Sequence, residues 1–304
     1  MSLPPDRQID CRSTIELLST ALGESVRCTL LGTGDAVGVP APLCDCEYCE
    51  ESDPRRRPGL LVETEGGGDG TTVLLDVPPD VTSALHDAGV TDLDAVFLTH
   101  GHYDHAAGLS ELNHARYERH LLNGPELGHD HPVSDPFSVR VPRSVLQTYA
   151  TRRPRLVDRL GLTVVPPGER VAVGPLTVEA VRVDHGEPLF PTLGYVVRGP
   201  STEPERGAVD PAVVGYLPDL DAAPDPEAMP VGRFDLLYAE GSVLGAELHA
   251  DAAALRDGLA PLAADRRVAT NVSEHMLRLH TPAVEARGRE VGYEVWRDGD
   301  AATV

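Results

Sequence analysis

Residues 99–105 read Thr99-His100-Gly101-His102-Tyr103-Asp104-His105, directly continuing a compact apolar strand predicted from Ala95. Three imidazoles and one carboxylate therefore share one loop at the edge of a sheet. Imidazole nitrogen suits Zn, Mn or Fe, and an added carboxylate favours an open hydrolytic centre over a closed structural site. This spacing predicts a catalytic metal site rather than a solvated polar loop.

Short strand-like runs recur along the chain, with helical patterns between groups of them. The predicted strands cover residues 26–31, 60–65, 72–76, 95–99, 162–165, 171–173, 176–183, 195–198, 213–217 and 236–239. The predicted helices cover residues 79–88, 109–122 and 251–264. Runs of strands with helices between the runs indicate a layered α/β fold with much antiparallel pairing.

The His-x-His-x-Asp-His loop resembles that of the metallo-β-lactamase superfamily, and the resemblance extends from about Val26 to about His280. It implies a four-layer αβ/βα sandwich, which we expect to form one domain over residues 1–304, with residues 1–24 as an N-terminal extension. It also implies a dinuclear site. The implied ligands are His100 and His102 for the first metal, Asp104 and His105 for the second, His185 as a third histidine of the first site, and Asp219 as the bridging aspartate.

A second cluster consists of Cys44, Cys46 and Cys49, and three thiolates this close suit a tetrahedral Zn completed by one distant ligand. Our choice for that ligand is His275, with Glu274 as the alternative and His280 as a weaker candidate. The cluster follows a Gly-Thr-Gly-x-Ala-x-Gly-x-Pro segment. That combination is similar to the phosphoribosyl cyclic phosphate phosphodiesterases of phosphonate breakdown and, more distantly, to the pyrroloquinoline quinone biosynthesis B proteins.

Two further residues are assigned by this resemblance. His249, in the sequence His-Ala-Asp, matches the position of a general acid, a role that suits imidazole because its pKa lies near neutrality. Asn271 stands where the last histidine of the second metal site is expected. Amide oxygen binds Zn more weakly than imidazole does, so we expect a second metal that is loosely held, replaced or bound with help from another group.

The predicted function is that of a metal-dependent phosphodiesterase, with a metal-bridging hydroxide attacking a small or cyclic phosphate ester. Asp104 and His249 are the predicted catalytic residues. The predicted cofactors are one structural Zn²⁺ at the cysteine cluster and one or two catalytic Zn²⁺ or Mn²⁺ ions. Two alternatives stay open: a hydrolase of the same fold acting on a thioester or lactone, and a non-catalytic biosynthetic or binding protein with a weakened second metal site.

The charge of the chain limits its partners. The 304 residues include 26 basic side chains, all of them arginine, and 48 acidic ones, which gives a formal charge of −22. A field of this sign disfavours wrapping around nucleic acid, and it suggests a surface suited to high salt.

No signal peptide and no run of about 20 apolar residues is present, so we expect a cytoplasmic protein without membrane contact. The expected partner is a small phosphate ester, and a homodimer is left open.

Overall fold

The computed structural model describes residues 24–65, 70–122, 137–186, 191–201, 211–245 and 249–304. Apart from Glu24, the N-terminal extension predicted over residues 1–24 lies outside this part of the chain. The sequence from Ser25 onward alternates apolar strands with helices, and two β-sheets form from these strands.

The first sheet is built mainly from the N-terminal half of the chain. Its strands in chain order are β1 (Ser25–Gly32), β2 (Gly59–Glu65), β3 (Thr72–Leu75), β4 (Ala95–Phe97), β5 (Ser138–Val141) and β6 (Leu162–Val164). The second sheet contains β7 (Arg170–Val173), β8 (Leu176–Val183), β9 (Thr192–Gly199), β10 (Ala212–Leu217), β11 (Arg233–Glu240), β12 (Ala263–Thr270) and β13 (Glu294–Val295). The last strand, β14 (Ala301–Thr303), pairs with β1 and so belongs to the first sheet. Within the described residues each sheet has seven strands.

The strand directions decide where functional side chains can gather. In the first sheet β3, β4, β5 and β6 are parallel to one another, and in the second β10, β11, β12 and β13 are parallel. β8 and β10 are both antiparallel to β9, so β8 also runs in the direction of β10. Loops that follow these strands therefore meet at one edge of each sheet, which is where ligands bind in many α/β proteins.

Helices cover the outer faces of both sheets. They are α1 (Glu47–Glu51), α2 (Val81–Asp87), α3 (Tyr103–Ala106), α4 (Leu109–Leu122), α5 (Arg143–Arg152), α6 (Pro154–Leu160), α7 (Ala252–Leu259), α8 (Glu274–Leu277) and α9 (Thr281–Val291). None of the helices in the described ranges is both long and apolar enough to cross a bilayer.

Three buried apolar clusters separate the layers. One lies between the two sheets and contains Phe97, Tyr195 and Tyr238. A second packs helices α2, α4, α5 and α6 on the first sheet, and a third packs α7 and α9 on the second. The order helix, sheet, sheet, helix confirms the predicted αβ/βα sandwich.

Some predicted elements differ from the observed ones. The helix predicted over residues 251–264 ends at Leu259, because residues 263–270 form β12 and pair in parallel with β11. The charged residues of β12 conceal this strand in the sequence. The short strand β5 is also absent from the predicted elements. Long-range pairing with a neighbouring strand outweighs local propensity in both places.

A buried ion pair connects distant segments near the edge where the loops meet. Arg55 Nε donates to both carboxylate oxygens of Glu274, at 2.9 and 3.0 Å, and its Nη1 donates to Thr33 Oγ1 at 2.8 Å and to the Trp296 carbonyl at 2.7 Å. Thr281 Oγ1 donates to the same carboxylate at 3.1 Å. Both charged side chains are almost completely buried, with exposed fractions of 1% for Arg55 and 0% for Glu274.

We predict that Glu274→Gln lowers the free energy of unfolding by about 3–5 kcal/mol, since it leaves a buried guanidinium without its counter-charge. Asp265→Asn is the matched control, because it removes a carboxylate from the exposed Arg233–Asp265 pair and should cost less than about 1 kcal/mol. Urea unfolding of the metal-loaded protein measures both. Equal losses of unfolding free energy in the two variants would show that the buried pair stabilises the fold no more than the exposed pair does.

Candidate metal centre

Four residues predicted for the dinuclear site lie just after strands whose ends meet at the same edge. His100 follows β4, and His185 follows β8. Asp219 follows β10, and Asn271 follows β12. The structure therefore brings together, from both sheets, residues that are up to 171 positions apart in the chain.

Three histidines form the first group of potential ligands. His102 Nδ1 lies 2.9 Å from His100 Nε2 and 3.4 Å from His185 Nε2. The other ring nitrogens are held by oxygen atoms: His100 Nδ1 lies 2.9 Å from Thr99 Oγ1, and His185 Nδ1 lies 3.1 Å from Asp221 Oδ1. Such outer partners fix the orientation of metal-binding imidazoles, so this arrangement suits a metal ion.

A second group combines one imidazole with two carboxylates. His105 Nε2 lies 2.9 Å from Asp219 Oδ2 and 3.1 Å from Asp104 Oδ2. Yet neither His105 Nε2 nor Asp219 Oδ2, both fully buried, has a partner in hydrogen-bond geometry. Buried polar atoms without such partners are costly, whereas a divalent cation among them would satisfy their lone pairs. The donor set therefore fits the metal ions that the predicted site requires.

The electrostatics of this second group are those of closely paired charges. Burial by itself would raise the pKa of Asp219, but the charges of His105 and His100 hold it well below its usual range. Burial likewise acts to lower the pKa of His105, but Asp219 and Asp76 raise it well above its usual value. Asp219 is thus held as a carboxylate, the form that binds a metal.

Asp76 is a functional residue that sequence reasoning missed. It is completely buried and has a left-handed backbone conformation, with φ of 62°. Its carboxylate accepts hydrogen bonds from the backbone N–H of Thr99 at 2.8 Å and from the Thr99 hydroxyl, and it lies 2.8 Å from His105 Nδ1. A signal was present in the sequence, because Asp76 directly ends the apolar strand Thr72–Leu75 beside the strand that leads into the histidine loop.

Asn271 lies at the same edge, but its amide nitrogen is already engaged. Nδ2 donates to the Pro218 carbonyl at 2.9 Å and to Asp219 Oδ1 at 3.0 Å. The amide oxygen Oδ1 is buried and has no hydrogen-bond partner. Only this oxygen is available to a cation, so metal binding by Asn271 stays a prediction that rests on one neutral donor.

His249 lies beside the ligand groups and is held by a second buried carboxylate that the sequence reasoning did not identify. Its Nδ1 is 2.9 Å from Glu240 Oε2 and 3.7 Å from Asp219 Oδ1, and its ring centre is 4.6 Å from that of His185. His185, Asp219 and His249 are close enough together to share a metal ion. The position of His249 therefore allows two roles, general acid or additional ligand.

The pKa of His249 favours the role of acid. Partial burial lowers this pKa, but the hydrogen bond with Glu240 and the charges of Glu240 and Asp219 outweigh it and raise the pKa to about 9. Burial tends to raise the pKa of Glu240. We assign the pair as imidazolium and carboxylate, because Glu240 also accepts hydrogen bonds from the N–H and hydroxyl of Ser242.

The cysteine cluster is completed in space by a histidine. His275 Nδ1 lies 3.4 Å from Cys44 Sγ, 3.3 Å from Cys46 Sγ and 3.6 Å from Cys49 Sγ. Zn–S bonds of about 2.3 Å and Zn–N bonds of about 2.0–2.1 Å in a tetrahedron put S and N roughly 3.6 Å apart. The hydrogen bond with His275 lowers the pKa of the Cys46 thiol to about 6, which favours the thiolate that a metal binds.

The two alternatives to His275 lie elsewhere. The carboxylate of Glu274 forms an ion pair with Arg55 and is not among the atoms that group with the three sulfur atoms. His280 occupies the N-cap position of α9, and its ring centre lies 5.0 Å from that of Tyr48. Among the candidates that the sequence left open, only His275 has its nitrogen beside the three sulfur atoms.

Residues 71–280 match the model of the family described as "Beta-lactamase superfamily domain". The match covers more than half of the chain, and the fold agrees with it. The protein therefore belongs to the β-lactamase superfamily, whose fold implies bound divalent metal ions, and the predicted resemblance is confirmed.

Two curated proteins are similar to parts of this chain. An octanoyltransferase of Porphyromonas gingivalis is 35% identical over 177 residues, which are 57% of this chain and 33% of that protein. A ribonuclease Z of Methanopyrus kandleri is 31% identical over 196 residues, which are 62% of this chain and 54% of that protein. The chain thus spans about a third and about half of these two relatives.

Solved structures share the fold over nearly the whole chain. A diphosphatase of the PhnP family superposes with a TM-score of 0.67 and 21% identity, covering 92% of this chain and 97% of that one. Zn²⁺-bound PqqB from Methylobacterium extorquens also has a TM-score of 0.67, with 16% identity, and covers 91% and 100%. At these identities the likeness concerns the fold alone.

We predict that Cys46→Ser removes about one Zn per chain and lowers the thermal midpoint, since a tetrahedral site loses one of its ligands. Elemental analysis of dialysed protein and a thermal melt provide the two readouts. Cys11→Ser is the control, because Cys11 lies outside the cysteine motif. An unchanged zinc content in Cys46→Ser would rule out this cluster as a zinc site.

Proposed function

We propose that this protein is a metal-dependent phosphodiesterase acting on a small or cyclic phosphate ester. One observation carries the proposal. Nδ1 of His249 lies 2.9 Å from the buried carboxylate of Glu240 and 3.7 Å from Oδ1 of Asp219, a predicted metal ligand. A phosphodiester needs a proton donor for its leaving alkoxide, and a protonated imidazole beside the metal centre meets that need.

The ligand groups hold the reacting centre in a rigid frame. His100, His102 and His185 would hold one ion, and Asp104, His105 and Asp219 would hold a second, with Asn271 Oδ1 as a further donor. Divalent ions at such sites lower the pKa of water and neutralise charge on phosphoryl oxygen.

The other buried groups position these donors. Asp76 fixes the ring of His105 and the Thr99 backbone, so that the histidine loop keeps one conformation. Glu240 orients His249 and keeps it protonated. The proton on Nε2 of His249 is then available to the leaving oxygen. The step moves one proton from His249 to the alkoxide, and water restores it after product release.

An acyl substrate is the second candidate. The similarity to an octanoyltransferase favours it, since that relative is named for acyl chemistry, although this chain spans only 33% of that protein. A thioester or lactone could be cleaved by the same donors, because metal ions polarise acyl and phosphoryl oxygens alike. The protonated His249 is of less use for a thioester, since a thiolate leaves without a proton, whereas a lactone releases an alkoxide that needs one.

We predict that the protein hydrolyses bis(p-nitrophenyl) phosphate with added Mn²⁺ or Zn²⁺, and that Asp104→Ala lowers the rate by at least about 100-fold. A thioester and a lactone are tested beside it, with His86→Gln as a control at an exposed helix position. Faster turnover of the acyl substrates would favour the second candidate. No turnover with any divalent metal, together with a single tightly bound Zn, would favour a non-catalytic protein.

We predict that His249→Gln slows hydrolysis by about 100-fold or more for an alkyl phosphodiester, and much less for a p-nitrophenyl ester. Nitrophenolate needs no proton to leave, so only the first reaction depends on the acid. Since the acid is active when protonated, the rate should fall as the pH rises toward 9, and Glu240→Gln should move this fall to lower pH. Equal losses for both esters would exclude His249 as the acid.

A further inference from the structure

The two groups of ligands at the candidate metal centre differ in their donor atoms. The first group offers only imidazole nitrogen, from His100, His102 and His185. In the second group, His105 Nε2 lies 2.9 Å from Asp219 Oδ2 and 3.1 Å from Asp104 Oδ2, so two of its three donors are carboxylate oxygens. The remaining donor of the second group therefore decides how closely this site resembles the first.

Hydrogen bonds fix the orientation of the Asn271 amide at this position. Nδ2 donates to the Pro218 carbonyl at 2.9 Å, and a carbonyl only accepts, so the nitrogen belongs at this end of the amide. The same nitrogen donates to Asp219 Oδ1 at 3.0 Å. The other end, Oδ1, is buried without a hydrogen-bond partner. Asn271 can therefore offer a cation an oxygen atom but no nitrogen.

Three buried atoms without hydrogen-bond partners belong to this second group. They are Asn271 Oδ1, Asp219 Oδ2 and His105 Nε2, and their residues have exposed fractions of 2%, 2% and 0%. Leaving such atoms unsatisfied is costly, and a divalent cation that they share would remove the cost. Two of the three atoms are oxygens, so the ion that satisfies them is one that accepts oxygen ligands readily.

Two further imidazoles lie near the second group, but each is engaged by another partner. His100 Nε2 lies 2.9 Å from His102 Nδ1, a member of the three-histidine group. His249 Nδ1 faces Asp219 Oδ1 at 3.7 Å, but it lies closer, at 2.9 Å, to Glu240 Oε2. These contacts leave His105 as the imidazole of the second group within the described residues.

The backbone at Asn271 accepts histidine as well as asparagine. Its φ of 53° lies in the left-handed region, where asparagine, aspartate and histidine are enriched among the residues other than glycine. Asparagine has one local advantage, because Nδ2 also lies 3.4 Å from Glu240 Oε2 and so contacts two buried carboxylates that repel each other. The choice of residue here therefore changes the donor atom while the fold is kept.

We propose that the two catalytic sites prefer different ions, with Zn²⁺ held by the three histidines and Mn²⁺ held by the second group, to which Asn271 contributes oxygen. Imidazole nitrogen suits Zn²⁺, whereas carboxylate and carbonyl oxygens suit Mn²⁺. Because Zn²⁺ binds most donor sets more tightly than Mn²⁺, the difference between the sites lies in how strongly each one favours Zn²⁺. This inference rests on the metal centre of the proposed function and adds the identity of its ions.

The experiment saturates the full-length protein with Mn²⁺ and then titrates it with Zn²⁺. Electron paramagnetic resonance measures the Mn²⁺ released, and elemental analysis of the gel-filtered protein measures the Zn²⁺ retained. Zn²⁺ should displace Mn²⁺ from the catalytic centre in two steps, and the second step should need a free Zn²⁺ concentration at least about tenfold higher than the first.

Reciprocal substitutions assign the two steps. Asn271→His adds a nitrogen donor to the second group and should lower the Zn²⁺ concentration of the second step by at least about tenfold. His102→Asn removes a nitrogen donor from the first group and should raise the Zn²⁺ concentration of the first step by a similar factor. His86→Asn is the control at an exposed position of α2 and should move neither step. Far-ultraviolet circular dichroism verifies that the variants are folded.

Three results would overturn the inference: release of both Mn²⁺ ions in a single step from the unmodified protein, a second step that Asn271→His leaves in place, or binding of no more than one Mn²⁺ at the catalytic centre. The first result would indicate that His249 supplies the missing nitrogen. No substrate is present in this titration, so its outcome does not depend on phosphodiesterase activity. A protein that cleaves the diester but releases both Mn²⁺ ions in one step would retain the proposed function and refute this inference alone.

Discussion

The ring of His105 joins the two sheets at the edge where the functional residues gather. One of its nitrogens faces Asp76 at the end of β3 in the first sheet, and the other faces Asp219 after β10 in the second. All three side chains are almost inaccessible to water. Charges buried this deeply persist only when opposite charges or metal ions surround them, so the pairing of these groups determines how the loops of both sheets can be arranged.

The turn after β12 connects the two candidate metal sites. Asn271 at its start contacts Asp219 of the catalytic group, and His275 at its end contacts the three cysteines. Between them, Glu274 is anchored by Arg55, which also holds Thr33 and the Trp296 carbonyl. A change at the cysteine cluster can thus reach the catalytic edge through one short segment.

The charge of the protein is distributed unevenly, and the exceptions are informative. Several arginines of the described residues form ion pairs with the abundant carboxylates, among them Arg57 with Asp80 and Arg198 with Glu179. Positive charge would be concentrated at the two places where metal ions would bind. Bound metal ions add local charge that a formal count omits. An anionic substrate is therefore compatible with a globally acidic protein.

The sequence alone determined the features that depend on short spacing. The histidine loop, the cysteine trio and the strands that precede His185 and Asp219 could be read from it, because each consists of neighbouring residues with one periodicity or one motif. The tertiary structure decided which distant groups meet: Asp76 with His105, Glu240 with His249, and His275 rather than Glu274 with the cysteines. It also decided that residues 263–270 form a strand. These outcomes depend on sheet register and on the burial of charge, which involve residues far apart in the chain.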